Sequence, residues 1–241
     1  MVRLFDNHAL LAASGQHQWY TVSGGSIEYV RRLQARLSKD GVDIRTGASV
    51  QGVRRGALGA EVRLQSGEWE LFDEVVFATH SDDTLRLLSD ASPEEHAALS
   101  KIRYQPNTAV LHADPATMPR RKAVWSSWNY VEDKGQAKDR IDLTYWMNCL
   151  QPIPKDDPLF VTLNATRPIR EDLIYDQVTF SHPVYDLAAL KGQAEVRAMN
   201  GTRSTWFCGA WMKNGFHEDG FASAVDVAEA LARRPMSVAA E

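Results

Sequence analysis

The sequence predicts a discontinuous α/β domain whose two parts flank an antiparallel-sheet α+β insertion. Three observations carry that reading. Residues 26–80 place a helical pattern before strand patterns and finish on the apolar run Val75 to Ala78, as in a strand buried on both faces. Residues 107–180 give five strand-like runs separated by loops rich in Pro, Asp and Lys. Past residue 203 the α/β pattern returns as an apolar strand, a glycine-fenced loop and a closing helix.

The elements follow in order. In "TVSGGSIEYVRRLQARLSKDG", Ile27, Val30, Leu33 and Leu37 form one helical stripe. Gly24 and Gly25 give a tight entry, Ser26 is the expected cap and Gly41 the stop. Val42 and Ile44 alternate with polar neighbours, as do Ala48 and Val50, which predicts short strands. "AEVRLQSGEWELF" reads as a hairpin with Ser66 and Gly67 in its turn. Two short helices follow, "SDDTLRLLSD" and "SPEEHAALSKI". The second opens on a capping box of Ser92 and Glu95, with Pro93 at its first position. The middle strands are "NTAVLHA", "AVWSSWNYV", "IDLTYWMNCL", "LFVTLNA" and "LIYDQVTF". Trp125, Trp128, Tyr130, Tyr145 and Trp146 lie on them, and core packing explains these aromatics more simply than a ligand cage. "DLAALKGQAEVRAMNG" reads as a helix and "STWFCGA" as a strand. In the closing helix Phe221, Ala224, Val225, Ala228, Leu231 and Ala232 share one face, and Pro235 stops it. Residues 236–241 read as a disordered tail.

Composition excludes several functions. The net charge is −4 and the basic pairs are short and scattered, so nothing draws the chain to nucleic acid or anionic lipid. Cys149 and Cys208 form no CxxC, which removes the basis for a zinc or dithiol motif. They read as free thiols of a reducing compartment. No apolar run is long enough to span a bilayer, and "MVRLFDNHALL" lacks the apolar core of a signal peptide. A cytoplasmic protein is expected.

The chemistry concentrates in "GFHEDG", Gly215 to Gly220, placed where the closing helix is expected to begin at Asp219 and Gly220. Free N–H groups and the positive dipole end make such a terminus a place for an anion or a polar heterocycle. Gly220 would let a ligand approach the backbone. The plainer alternative is that Asp219 caps the helix while His217 and Glu218 sit in solvent. A metal site is the weaker reading, because adjacent side chains diverge and no second His/Asp/Glu cluster stands near in sequence.

"FCGAWMKNGFHEDGFASAVDVAEAL" resembles the C-terminal flavin-binding segment of the FAD-dependent amine oxidase and phytoene desaturase superfamily. It is most similar to bacterial FAD-dependent oxidoreductases that carry a GFHEDG-like loop after a strand ending in Gly-Ala. "RLFDNHALL" with "QWYTVSGGSIEYVRRL", "GVDIRTGASVQGVRR" and "FDEVVFATHSDDTLRLL" match the family's segments in order, so the resemblance spans nearly the whole chain. It implies an FAD/NAD(P)-binding Rossmann-like domain over 1–80 and 203–235 and a substrate domain over 81–202. The implied cofactor is FAD. Gly209 and Ala210 would lie near its ribityl–pyrophosphate part, and Asp219, Gly220 and Phe221 near the isoalloxazine O2 edge. Val50 would meet adenine and Ala78 would line the same cleft. His217 is the implied acid/base candidate, removing a proton as hydride leaves an amine or lipid-like substrate. Lys213 departs from the aromatic and glycine residues of the family loop.

The family opens with a βαβ unit bearing G-x-G-x-x-G, and this chain has no two glycines one residue apart. The expectation is therefore a cofactor-domain remnant lacking its first βαβ unit: a truncated gene, a fragmentary assembly, or one half of a split protein whose N-terminal half is a separate chain. The alternative is a non-catalytic binding or scaffold domain derived from such a flavoenzyme.

Overall fold

The computed structural model describes residues 14, 15, 18, 20–65, 67–131 and 142–234. Ser66, Pro235 and the expected tail at 236–241 lie outside the described residues. In chain order the elements are α1 (Ile27–Lys39), β1 (Val50–Gly56), β2 (Gly59–Leu64), β3 (Trp69–Phe72), β4 (Val75–Phe77), α2 (Ser81–Leu87), α3 (Pro93–Leu99), β5 (Arg103–His112), β6 (Trp128–Val131), β7 (Asp142–Trp146), α4 (Met147–Leu150), β8 (Phe160–Leu163), β9 (Ile174–Val184), α5 (Leu187–Met199), β10 (Thr205–Phe207) and α6 (His217–Ala232). The chain divides into two compact units, one of residues 1–46, 110–137 and 141–176, the other of 47–109, 138–140 and 177–241.

In the first unit α1 forms where its stripe predicts, and Gly41 ends it, with Val42 N–H donating to the Leu37 carbonyl at 3.0 Å. Ser26 makes no side-chain cap, because it already has helical backbone angles. No residue of α1 is buried; Ile27, Val30 and Leu33 remain exposed. Among the described residues Val42 and Ile44 find no partner strand, so their alternation yields no ladder. The five-stranded sheet runs β6-β7-β8-β5-β9, and β6, β7 and β8 pair antiparallel. The expected strand over 141–150 is cut at Trp146, where "MNCL" turns helical. Asn148 forces that turn: its amide N donates to the Pro154 and Asp157 carbonyls, and its Oδ1 accepts from Leu159 N–H. Trp125, Trp146, Phe160 and Met118 pack as one apolar cluster, whereas Trp128 and Tyr130 face solvent.

His112 is fully buried on this sheet. Asp114 N–H donates to its Nδ1 at 3.1 Å, so the proton sits on Nε2, which donates to Thr162 Oγ1 at 2.7 Å. Thr162 then meets Thr144 Oγ1 at 2.8 Å. Burial holds the His112 pKa below its ordinary 6.5, against the attraction of Asp114.

The second unit opens with the meander β1-β2-β3, antiparallel throughout. Val53, Phe77, Leu88, Leu99, Ile102, Val196, Phe207 and Trp211 belong to its main core. Arg55 stands at the centre of a buried ion network. Its side chain is 1% exposed. It donates to Asp90 Oδ1 at 2.8 Å, to Glu95 Oε1 at 2.9 Å and Oε2 at 2.7 Å, and to Thr205 Oγ1 at 3.2 Å. Arg203 adds bonds to Asp90 at 2.8 Å and Glu95 at 3.2 Å. The expected capping box is present: Ser92 Oγ accepts from Glu95 N–H, and Glu95 Oε2 accepts from Ser92 N–H at 2.7 Å. One carboxylate thus caps α3 and neutralises Arg55. Burial opposes its charge, but Arg55, the Ser92 N–H and Arg203 outweigh it and hold the Glu95 pKa below the usual carboxylate range. Helices α3 and α5 pack closely at Gly192, where a Cβ would stand 2.9 Å from the Ala98 carbonyl. Strands β4 and β10 pair in parallel, with Val75, Val76 and Phe77 opposite Thr205, Trp206 and Phe207.

Two outcomes follow from these buried groups. Arg55→Met strips the buried Glu95 of its bidentate cation and leaves the more exposed Arg203 to balance it and Asp90, and is expected to cost about 3–5 kcal/mol, read from the urea midpoint. Below pH 6.5 the unfolded chain protonates His112 before the folded chain does. Its contribution is therefore complete above that pH and lost as pH falls toward the depressed folded value. A Tm–pH profile of His112→Gln should lack that acid-side decline.

Candidate functional site

Parallel β4 and β10 both end at the same edge of their pair, and open α/β sheets present ligand crevices at such carboxyl ends. After β4 the chain carries Ala78, Thr79, His80 and Ser81; after β10 it carries Gly209, Ala210 and Trp211. Trp211 Nε1 donates to the Thr79 carbonyl at 3.0 Å and ties the two segments together. Gln193 Nε2 donates to the carbonyls of Trp211 and Lys213, both at 2.7 Å, and so fixes the turn from α5.

The closing helix starts at His217, two residues earlier than its expected start. Phe216 has the extended backbone of a cap, and its carbonyl accepts from Gly220 N–H at 3.2 Å. A phenyl ring cannot accept a backbone proton, so the capping is one-sided: Asp219 Oδ2 accepts from Phe216 N–H at 3.0 Å and Asn214 N–H at 3.3 Å. Asp219 is therefore a third-position residue reaching back. The two extra helical residues become favourable because that carboxylate satisfies N–H groups just before the helix. The buried face of α6 is set by Ser223 and Val227, with Ala230 and Leu231 packing beside Trp206 and Cys208. The apolar face read from the sequence is instead largely open, and Phe221 is 65% exposed.

Gly209 and Gly215 are explained by their own protein neighbours and backbone angles, whereas a Cβ at Gly220 would meet only ordinary contacts. Gly215 has φ +92°, and a Cβ there would lie 2.6 Å from the Tyr185 hydroxyl. Gly209 has φ +143°, and its Cβ would lie 2.8 Å from Trp211 Nε1. Gly220 sits over Ala210, whose N would be 3.5 Å from an added Cβ. Ser223 Oγ accepts from Gly209 N–H at 2.8 Å and stands 2.7 Å from the Gly220 carbonyl.

Gly209, Ala210, Asp219 and Gly220 are thus brought together, with Ala78 beside the Thr79 tie. His217 is exposed on the first position of α6. Val50, at the start of β1, packs on the main core rather than on the loop. Lys213 is paired with Asp226 at 3.4 Å. Sequence reasoning missed Thr79, Gln193, Ser223 and Tyr185, whose roles arise from tertiary proximity; only Ser223, three residues after Gly220, had a local signal. Two tyrosines edge the site. Ser81 N–H donates to Tyr104 Oη at 2.8 Å, and His80 stacks on the Tyr104 ring with centroids 4.5 Å apart. Burial raises the Tyr104 pKa, and burial followed by Tyr104 and the Asp219 charge raises that of Tyr185, so both phenols stay protonated at neutral pH. His80, Asp82 and Asp83 also converge, but Asp83 is already paired with Arg86 at 2.8 Å.

Residues 3–158 match the profile of the flavin containing amine oxidoreductase family. This chain belongs to that family. No curated protein matches the sequence. Among solved structures, this chain superposes on a "Putative protoporphyrinogen oxidase" from Exiguobacterium sp. 255-15 with a TM-score of 0.64 and 15% identity, over 95% of this chain and 55% of that one. A conjugated-linoleic-acid-producing fatty acid isomerase from P. acnes gives 0.60 at 15% identity, over 86% and 52%. A putrescine oxidase redesigned in its cofactor binding gives 0.56 at 14%, over 88% and 53%. Identities this low show a shared α/β fold, and the chain spans about half the length of each structure.

The donor set suits one part of a flavin. The first-turn N–H groups of α6 fit an uncharged acceptor such as a ring carbonyl. Glu218 and Asp219 in the same turn oppose a phosphate there. Replacing Gly215 with Ala should destabilise the unit by at least about 1–2 kcal/mol, the cost of a left-handed backbone for an L-residue. Thermal unfolding of Gly215→Ala beside Asn214→Ala, which keeps that backbone free of the tyrosine, checks it.

Proposed function

We propose that this chain supplies part of an FAD-dependent oxidoreductase that removes a hydride from an amine or lipid-like substrate. In this reading residues 1–80 and 203–235 serve the cofactor, and 81–202 the substrate. The observation that carries it is the meeting of two parallel strand ends with the α6 N-terminus, in a chain whose family is flavin-containing. The α6 N-terminus, with Asp219, Gly220 and Phe221, would face the isoalloxazine O2 edge. Gly209 and Ala210 would lie along the ribityl–pyrophosphate part, Ala78 in the same cleft, and Val50 against adenine. Bound FAD supplies the hydride acceptor.

The chain's own residues orient and move protons. His217, exposed at the helix start, takes the proton that leaves the substrate. The protonated Tyr104 and Tyr185 hydroxyls donate hydrogen bonds without competing as bases. Support for the substrate classes comes from the fold neighbours, whose names include a fatty acid isomerase and a putrescine oxidase.

A non-catalytic scaffold is the second reading, favoured by the way protein atoms fill the space beside Gly209 and Gly215. The absorption spectrum of the purified chain, after excess FAD and removal of the unbound part, separates the two. A retained band near about 450 nm, a property of the flavin itself, supports the oxidoreductase and should weaken in Gly220→Val. A folded chain that retains no flavin supports the scaffold.

A further inference from the structure

Two loops of the first unit gather cations from distant parts of the chain. The loop after β5 carries Arg120, Arg121 and Lys122, and the loop after β8 carries Arg167 and Arg170. Arg167 Nη2 donates to the Thr117 carbonyl at 2.8 Å, so the loops meet although these residues stand 50 apart in the chain. Arg170 N–H donates to Asp114 Oδ2 at 3.0 Å and secures the same junction.

The acids of this region are occupied elsewhere. Asp114 is buried and also accepts from Ala116 N–H at 2.9 Å. Asp142 is buried and accepts from Thr166 N–H at 3.0 Å. Asp172 pairs with Arg170 at 2.6 Å. Among the described residues Arg120, Arg121, Lys122 and Arg167 meet no carboxylate, and all are exposed. Glu171 alone faces that excess in the two loops. The net charge of the chain is −4, so the basic patch arises from where the fold places charges and not from composition.

The first loop is also stiff and presents an apolar residue. Trp125 turns its ring onto Trp146 and Phe160, with centroids 5.1 and 5.8 Å away, and its Nε1 donates to the Pro119 carbonyl at 2.7 Å. Val124 N–H donates to the Arg121 carbonyl at 3.0 Å and Trp125 N–H to the Lys122 carbonyl at 3.1 Å. Anchored in this way, the turn leaves Val124 59% exposed beside Lys122, whose Nζ stands 5.5 Å over the Trp125 ring. An exposed valine alone means little. Set in a stiff turn among unpaired cations, it matches a lipid interface, where cations meet anionic headgroups and an apolar side chain enters the boundary below them. A single-stranded nucleic acid fits less well, because the ring that would stack on its bases is packed inside.

We propose that the Arg120–Val124 loop, with Arg167 beside it, docks the chain on a bilayer surface that bears anionic phospholipid headgroups. This goes beyond the flavin reading and stands without it.

The test sediments the whole chain with vesicles of equal parts phosphatidylcholine and phosphatidylserine, and with vesicles of phosphatidylcholine alone. Binding is expected to the anionic vesicles only, and to fall steeply as salt rises. Arg120→Ser/Arg121→Ser should weaken it by about tenfold or more, since each cation near such a surface contributes about fivefold. Val124→Ser should weaken it by about threefold or more without changing the salt dependence. These side chains are exposed, so both variants should melt with the parent. Arg86→Ser/Lys191→Ser, which removes equal charge from helices of the second unit, should change binding by less than about twofold. Equal binding to neutral vesicles, or equal binding by the parent and the Arg120/Arg121 variant, overturns the proposal. So does binding of a DNA duplex as tight as vesicle binding and indifferent to Val124→Ser, which would mark a nucleic-acid surface. Flavin is absent throughout, so a chain that binds vesicles but retains no flavin defeats the functional reading alone, and one that retains flavin but ignores anionic vesicles defeats this one alone.

Discussion

The second unit depends on keeping one buried cation neutralised. Arg55 leaves β1 with its guanidinium almost wholly removed from water, a position tenable only with acceptors on several sides. Asp90, Glu95 and Thr205 supply them, and they come from the α2–α3 connection, from α3 and from β10. The meander, the helical pair and the parallel strands are thereby held to a common point. Glu95 makes the arrangement economical, because the carboxylate that caps α3 is also the one Arg55 requires.

The candidate site inherits its geometry from that frame. β10 begins beside the Arg55 network and ends at Gly209, where Ser223 and Trp211 fasten the next turn to α6 and to the end of β4. Helix α6 begins where it does because Asp219 folds back on Phe216 and Asn214. The loop is thus rigid before any ligand arrives, as a flavin edge would need for a preorganised hydrogen-bond donor set. The protein's own contacts account for Gly209 and Gly215 without a ligand, which is why flavin retention rather than glycine content distinguishes enzyme from scaffold.

Two apolar stripes did not find a core. Ile27, Val30 and Leu33 of the α1 stripe are exposed while Leu37 is half-buried, and the face of α6 read as its core face is largely open. Periodicity finds the stripe of a helix but not which neighbour covers it. In α6 the packing decision went to Ser223 and Val227, because Ser223 bonds Gly209 and Val227 meets Trp206 and Cys208.

By itself the sequence determined what depends on neighbours along the chain. The capping box at Ser92 and Glu95, the stop at Gly41, the buried run at Val75 and the location of the GFHEDG loop were legible, since caps, turns and apolar runs act within a few residues. The resemblance of "FCGAWMKNGFHEDGFASAVDVAEAL" and the segments before it implied the flavin-containing family that the profile match shows. The tertiary structure alone decided the rest. It withheld a strand from Val42–Ile44, which has no partner, turned "MNCL" into a helix around the contacts of Asn148, and extended α6 back to His217. It alone gathered Thr79, Gln193, Tyr185 and Ser223 at the loop. Hydrogen bonds between residues far apart in the chain carry no local signature, so they become visible only when the fold has brought their partners together.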